Sequence, residues 1–214
     1  QYSTEQGEIS RVELEDGSSV SLNSSSALTV EYRDDVRALT LSSGEVWFDV
    51  AKDAKRPFLV AVGDARVRAV GTGFAVHMTL SEIDVSVTEG VVEVWTLHAP
   101  EDISRLRVGD GVVVSAQRVG PVQQRGTKQI EDRLQWRFRK IDLAGQTLQQ
   151  AVERFNLHNQ RKLVIADPKI AGERLHGVFQ LTDPEGFARA VQTSLSIPID
   201  LSRPDQITLG EKPE

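Results

Sequence analysis

The chain has 214 residues and a formal net charge of −6, with 39% hydrophobic and 26% charged residues, a composition that builds a core and excludes global disorder. It has no cysteine, which excludes disulfide scaffolds, thiolate metal sites and thiol catalysis and leaves the redox compartment open. The four histidines, His77, His98, His158 and His176, show no metal-ligand spacing, so no metal and no cofactor is expected.

Residues 7–115 read as strands, in short alternating runs broken by turn residues. Ile9, Val12 and Leu14 lead into Asp16-Gly17, a hairpin-type pair, followed by Val20 and Leu22. Leu28, Val30 and Tyr32 make the next run, and Leu39 and Leu41 lead through Gly44 to Val46, Phe48 and Val50. Trp47 and Phe48 are adjacent, so one should be core and the other outward. Phe58, Val60 and Val62 follow Pro57. Val67 and Val70 then precede Gly71-Thr72-Gly73, with Phe74, Val76 and Met78 beyond it. Ile83 to Val94 turns at Gly90, and Leu106 to Val114 turns at Gly109-Asp110-Gly111. The turns at Gly17, Gly44, Gly90 and Gly111 share a theme, a glycine followed by alternating apolar positions. It suits either a solenoid-like stack or a sandwich.

Residues 116–135 lack both periods and contain Gly120-Pro121 and Gly126. They read as a linker or wrapping segment, in which Ile130 to Trp136 either starts a short helix or docks on the second lobe. From residue 136 the pattern changes to a small α+β lobe. A strand over 138–142 precedes Thr147-Leu148-Gln149-Gln150, a capping box. Leu148, Ala151, Val152 and Phe155 then share one helix face. A strand at 163–165 and another running through Gly177 over 175–181 come next. Thr182-Asp183-Pro184-Glu185 starts a second helix with Phe187, Ala190, Val191 and Leu195 on its apolar face. Strands at 197–199 and 207–209 close the lobe. The expected fold class is therefore mainly β plus α+β. It comprises an all-β lobe at 1–115, a connecting segment at 116–135 and a two-helix lobe on one sheet at 136–214.

Charge follows the same division. Residues 1–124 carry 11 Lys+Arg against 19 Asp+Glu, and residues 125–214 carry 14 against 12. The acidic first half argues against nucleic acid as a partner, and the second half is too weakly basic for a phosphate-binding surface. No apolar run approaches the roughly 20 residues that cross a bilayer. The chain opens at Gln1, and its one methionine is Met78. It is therefore expected to be a piece of a longer protein, with any anchor or targeting segment outside it.

Five motifs in order carry a resemblance: LEDGSSVSLNSSS at 14–26, LSSGEVWFDV at 41–50, RPFLV at 56–60, VGTGFAV at 70–76 and VTEGVVEVW at 87–95. Together they resemble the FecR domain over residues 7–95. Residues 136–209 are similar to the secretin/TonB short N-terminal (STN) fold. The similarity rests on Trp136, the Leu148-to-Phe155 helix, LVIAD at 163–167, the Gly177-Val178-Phe179 strand and the TDPEGF helix start. The resemblance implies the periplasmic region of a single-pass inner-membrane regulator of an extracytoplasmic-function sigma factor. Such a regulator holds its sigma factor through a cytoplasmic tail that this sequence does not include. Its partners would be the N-terminal signalling domain of a TonB-dependent outer-membrane transporter and periplasmic and intramembrane proteases. The signal relayed would be iron or siderophore availability.

Small α+β lobes present open sheet edges for partners. With the resemblance and the more basic second half, this makes Arg137, Arg139, Lys140, His176, Val178 and Gln180 the candidate partner-binding residues. The resemblance also implies self-cleavage at Gly71-Thr72 in some members, by attack of the threonine hydroxyl on the preceding carbonyl, with glycine permitting a strained turn. An ordinary turn or bulge is the alternative for that motif. No other catalytic arrangement is readable, so the chain is not expected to act as an enzyme on a separate substrate. The competing function is a periplasmic ligand- or glycan-binding β module, which an aromatic cluster in an open groove would favour.

Overall fold

A computed structural model of the chain describes residues 1–115 and 117–210. Ala116, where the linker was expected to begin, and residues 211–214, at the end of the second lobe, lie outside the described residues. The chain forms two compact units, one of Gln1–Glu5 with Ile9–Arg137 and one of Gln6–Glu8 with Phe138–Glu214.

The first unit is built from strands, as its alternating pattern requires. In chain order they are β1 (Tyr2–Ser3), β2 (Ser10–Glu13), β3 (Ser19–Leu22), β4 (Ala27–Tyr32), β5 (Arg37–Asp49), β6 (Phe58–Val62) and β7 (Ala65–Ala69). There follow β8 (Gly73–Met78), β9 (Glu82–Glu89), β10 (Val91–Thr96), β11 (Ala99–Arg107), β12 (Asp110–Ser115), β13 (Arg118–Val119) and β14 (Gln123–Gln124). The 13-residue β5 is shared by two wings of the sheet. Its first half pairs with β4 and, in parallel, with β6, while its second half pairs with β3 and β8. Gly44, at φ +82°, sits between the halves, and a Cβ there would lie 2.6 Å from the Ser26 Cα. One wing then continues β6-β7-β10-β11 and the other β8-β9-β12. Every pairing but β5–β6 is antiparallel. The strands therefore form one continuous 14-stranded sheet that passes through β5 and curls, nearly as a barrel, over one core; its mostly antiparallel pairing differs from a solenoid, which would stack its strands in parallel.

That core is a single cluster of Leu, Val and Phe. Phe48 stacks on Phe74 with ring centroids 4.9 Å apart and meets Phe58 edge-on at 5.8 Å, a geometry that adds to the burial of the three rings. Phe48 is fully buried and its neighbour Trp47 faces outward, as alternation demands. The segment read as a linker carries β13, β14, α1 (Thr127–Arg133) and a 3₁₀ turn over Gln135–Phe138. Through Arg137 it is part of the first unit. Arg125 and Arg133 on it reach Asp84 of β9 at 2.7 and 3.6 Å.

In the second unit β15 (Lys140–Asp142), β16 (Gln146–Thr147) and α2 (Leu148–His158) come first, followed by β17 (Lys162–Ile165), a 3₁₀ turn at Pro168–Ile170, β18 (Arg174–Leu175) and β19 (Val178–Gln180). Then come α3 (Pro184–Leu195), β20 (Ile199–Asp200) and β21 (Gln206–Leu209). Thr147 caps α2 in the expected capping box with Gln150, and Leu148, Ala151, Val152 and Phe155 are buried. Asp183 caps α3, whose buried residues are Phe187, Ala188 and Val191. Ala188 replaces the expected Ala190 in the core, and Leu195 is only half-buried. Phe187 joins the helices to the strands, stacked on Phe155 at 4.3 Å and edge-on to Phe179 at 5.3 Å.

The one expected sheet is instead three small ones: β15–β19, β16–β18 and β17–β21–β20. The strand expected through Gly177 breaks there, because Gly177 adopts φ +133° and leaves the extended region. The strand expected from Phe138 begins only at Lys140, because Arg139 adopts φ +55°.

His158 ends α2 in this unit with its ring buried and Nδ1 without a hydrogen-bond partner. Gly7 lies against it, since a Cβ there would sit 2.6 Å from the His158 carbonyl oxygen. Burial, with Arg154 adding repulsion, pushes the imidazole pKa down to about 4. The unfolded chain would titrate near 6.5, so protons bind the unfolded state first. Stability should therefore be full above about pH 6.5, fall as pH drops towards 4, and level off below. The full loss would be about 3.5 kcal/mol at about 1.4 kcal/mol per pKa unit, of which about 2–3 kcal/mol is expected by pH 4.5. Urea unfolding of the wild type at pH 7.5 and 4.5 should show this difference, and His158→Gln should remove most of it. An unchanged difference in His158→Gln would exclude the histidine as its source.

Candidate functional site

Five of the six candidate partner-binding residues lie in the second unit, and three of them meet on one exposed face. In the β15–β19 ribbon Lys140 pairs with Gln180, Ile141 with Phe179 and Asp142 with Val178. Alternation puts Ile141 and Phe179 inward. Lys140, Asp142, Val178 and Gln180 take the other face. Val178 is 62% exposed and Phe138, just before the ribbon, 63%. His176 and Arg139 are exposed at its ends, with the Arg139 carbonyl accepting from the Leu181 N–H at 2.8 Å. Each strand pairs only with the other among the described residues, so each presents one edge without a strand partner.

Arg137 does not belong to that surface. Its guanidinium lies 4.2 Å from the Trp47 ring centroid and 2.5 Å from Glu131, and its side chain is only 7% exposed. A cation over the most electron-rich ring and beside a carboxylate is already committed within the first unit.

Gly71 and Thr72 lie between β7 and β8. Thr72 is buried, and its Oγ1 has no hydrogen-bond partner. Its carbonyl accepts from the Val50 N–H at 2.9 Å, and the Val70 carbonyl accepts from the Asp53 N–H at 3.1 Å. The strained turn expected here is absent, because neither Gly71 nor Gly73 has positive φ. Crowding explains the glycines instead. A Cβ on Gly71 would strike the Lys52 side chain and come within 3.1 Å of its Cα. Gly90 (φ +76°) faces them, and a Cβ there would meet Thr72 Cγ2 at 2.7 Å and the Gly71 oxygen at 3.1 Å. The β8–β9 register shifts between Gly73 and Phe74, the bulge held as the alternative.

Gly71 and Thr72 also line an open cleft of about 850 Å³, with Lys52, Ala54, Pro57, Arg68, Val70, Val91, Glu93, Arg105 and Arg107. No aromatic ring lines this cleft. Strand pairing sets Arg68, Glu93 and Arg105 side by side across β7, β10 and β11. Both arginines hydrogen-bond the Glu93 carboxylate, and the Arg68 pairing above all holds that carboxyl below the usual range. Sequence reading missed this row. Its only local signal is the outward position of each residue in its own strand, which does not say which strands are neighbours.

A second missed cluster surrounds Asp16. The Arg37 guanidinium pairs with Asp16 at 2.7 Å, and both side chains are almost fully buried. Tyr32 Oη donates to the same carboxylate at 2.7 Å and Ser18 Oγ at 2.6 Å. Burial alone would raise the Asp16 pKa, but the bonds from Ser18, Arg37 and Tyr32 outweigh it and hold the carboxyl below its ordinary value. The Arg37–Asp16 pair is the buried hub of the first unit, and Asp16 and Tyr32 also line a surface pocket of about 350 Å³ with Glu15, Arg33, Asp34 and Arg56.

These observations agree with comparison to known proteins. No curated protein matches the chain. Two crystal structures of a proposed anti-sigma factor from Parabacteroides distasonis ATCC 8503, at 1.65 and 2.50 Å, share the fold at 24% sequence identity. The alignments have TM-scores of 0.64 and 0.63 and cover 100% of this chain with 99% and 98% of those chains. Residues 1–93 match the FecR protein family, over the same motifs and strands described above. The match is to the first part of the chain, the β-sheet unit, and does not extend to Phe138–Glu214 of the second unit.

Proposed function

We propose that the chain is the signal-receiving region of a transmembrane regulator of an extracytoplasmic-function sigma factor. It would lie in the periplasm, and its second unit would receive the signalling domain of a TonB-dependent outer-membrane transporter. The match of residues 1–93 to the FecR protein family and the fold shared with a proposed anti-sigma factor support the regulatory part of this reading. The observation that carries the docking part is the β15–β19 ribbon. It offers exposed Phe138 and Val178, a lysine beside them and, among the described residues, two edges without strand partners. An incoming strand could add its main-chain hydrogen bonds to either edge while apolar side chains cover Val178. STN likeness of this unit belongs to the same proposal.

The test is binding of the whole chain to purified candidate transporter signalling domains, followed by Lys140→Glu combined with Val178→Asp. The pair should weaken binding at least tenfold, about 1.4 kcal/mol, with the circular dichroism spectrum unchanged. Wild-type affinity in that variant would place docking elsewhere.

A second reading is favoured by the buried, unpartnered Thr72 Oγ1, which supports self-cleavage at Gly71-Thr72. The hydroxyl oxygen would bond to the Gly71 carbonyl carbon as the C–N bond breaks, its proton passing to the freed Thr72 amine. Water would then open the ester, leaving the Gly71 carboxylate and restoring the hydroxyl.

A further inference from the structure

We infer that the cleft beside Gly71-Thr72 is a binding site for an extended acidic peptide segment, a site separate from the β15–β19 ribbon and independent of the proposed receiver role. Residues 1–124 carry eight more acidic than basic residues, yet this cleft gathers Lys52, Arg68, Arg105 and Arg107 around the single carboxylate of Glu93. Arg68 and Arg105 share that carboxylate. Lys52 and Arg107 are exposed and form no ion pair among the described residues. Two cations are thus left over in a concave site, where low-dielectric walls strengthen their attraction for an anion.

The floor is not purely charged. Val70 and Val91 are 45% and 47% exposed, and Pro57 and Ala54 stand beside them. Val91 lies directly opposite Arg107 in the β10–β11 pairing, so an apolar contact and an anion-binding side chain alternate across the strands. A peptide strand with acidic and apolar side chains close together complements that pattern. An anionic bilayer does so less well, because the site is recessed and the surrounding domain is net negative. The same net charge disfavours nucleic acid.

The experiment uses the whole chain and a fluorescein-labelled peptide, EVEVEVEV, read by fluorescence anisotropy. Controls are its counterpart KVKVKVKV and vesicles of phosphatidylglycerol. Saturable binding of the acidic peptide is expected, weakening with added salt, with none to the basic one. Lys52→Glu with Arg107→Glu should weaken it at least tenfold. Neither side chain holds an ion pair, so the variant should fold, and an unchanged urea midpoint checks that. Lys52→Gln with Arg107→Gln, which removes the charges without reversing them, should give an intermediate loss. Failure of the acidic peptide to saturate, equal binding of both peptides, binding unchanged in both variants, or binding to vesicles alone would each overturn the site. The same variants should still bind the transporter domain, so failure here is distinguishable from failure of the receiver role.

Discussion

Asp16→Ala should destabilise the first unit by about 3–5 kcal/mol, the cost of leaving a buried charge without its partner. Arg37 is fully buried, and Asp16 is the one carboxylate that meets it among the described residues. The guanidinium also donates to the carbonyls of Arg56 at 2.8 Å and Ala51 at 2.9 Å, and it lies 5.4 Å from the Phe58 ring centroid. Those contacts orient it but do not neutralise it. Against a total of about 5–15 kcal/mol for a typical domain, the loss approaches unfolding. Equilibrium urea unfolding measures it, and a loss below about 1 kcal/mol would contradict this account. Asp16→Ala with Arg37→Met removes both charges, and it should be more stable than Asp16→Ala alone, because the penalty lies in the stranded cation. The pH dependence follows from the lowered Asp16 pKa. Its contribution is present above the unfolded value of about 3.9 and is lost as pH falls through the lower folded value. Asp16→Asn should remove that part of the acid transition.

Thr72 gives the second large effect, and Thr72→Val separates its chemistry from its packing. If the chain cleaves itself, the purified protein should yield residues 1–71 and 72–214 on a denaturing gel. The two pieces should stay together in solution, because the ends of the cut lead into β7 and β8, which stay paired with β6 and β10 and with β5 and β9. Thr72→Val and Thr72→Ala should each leave one band, since no oxygen remains to accept the acyl group. Thr72→Ser should retain part of the cleavage, its hydroxyl present but less restricted in rotamer. Valine has the shape of threonine, and the hydroxyl it replaces is buried without a hydrogen bond. Thr72→Val should therefore fold at least as stably as the wild type, by up to about 1 kcal/mol. A single full-length band from the wild type after prolonged incubation would leave Gly71-Thr72 as a structural bulge.

Strands, helices and caps were legible in this sequence because each is decided by residues close together in the chain. Phe48 inward and Trp47 outward follow from alternation alone. The Thr147–Gln150 capping box and the Leu148-to-Phe155 face follow from spacings of three and four. Local patterns missed the places where one backbone angle overrides an apolar run, at Arg139 and Gly177. What only the tertiary structure decided are relations across long separations. Asp16-Gly17 reads as a turn, and Gly17 does adopt φ +81°. That Asp16 also neutralises Arg37 depends on how β3, β4 and β5 pair, 21 residues along the chain. Arg68, Glu93 and Arg105 become neighbours only because β10 inserts between β7 and β11. Arg137 looked like a surface cation until the 3₁₀ turn brought it over Trp47, 90 residues earlier. Alternation states which side of a strand a residue faces. Strand order, which is set by how the sheet curls over its core, states what it meets there.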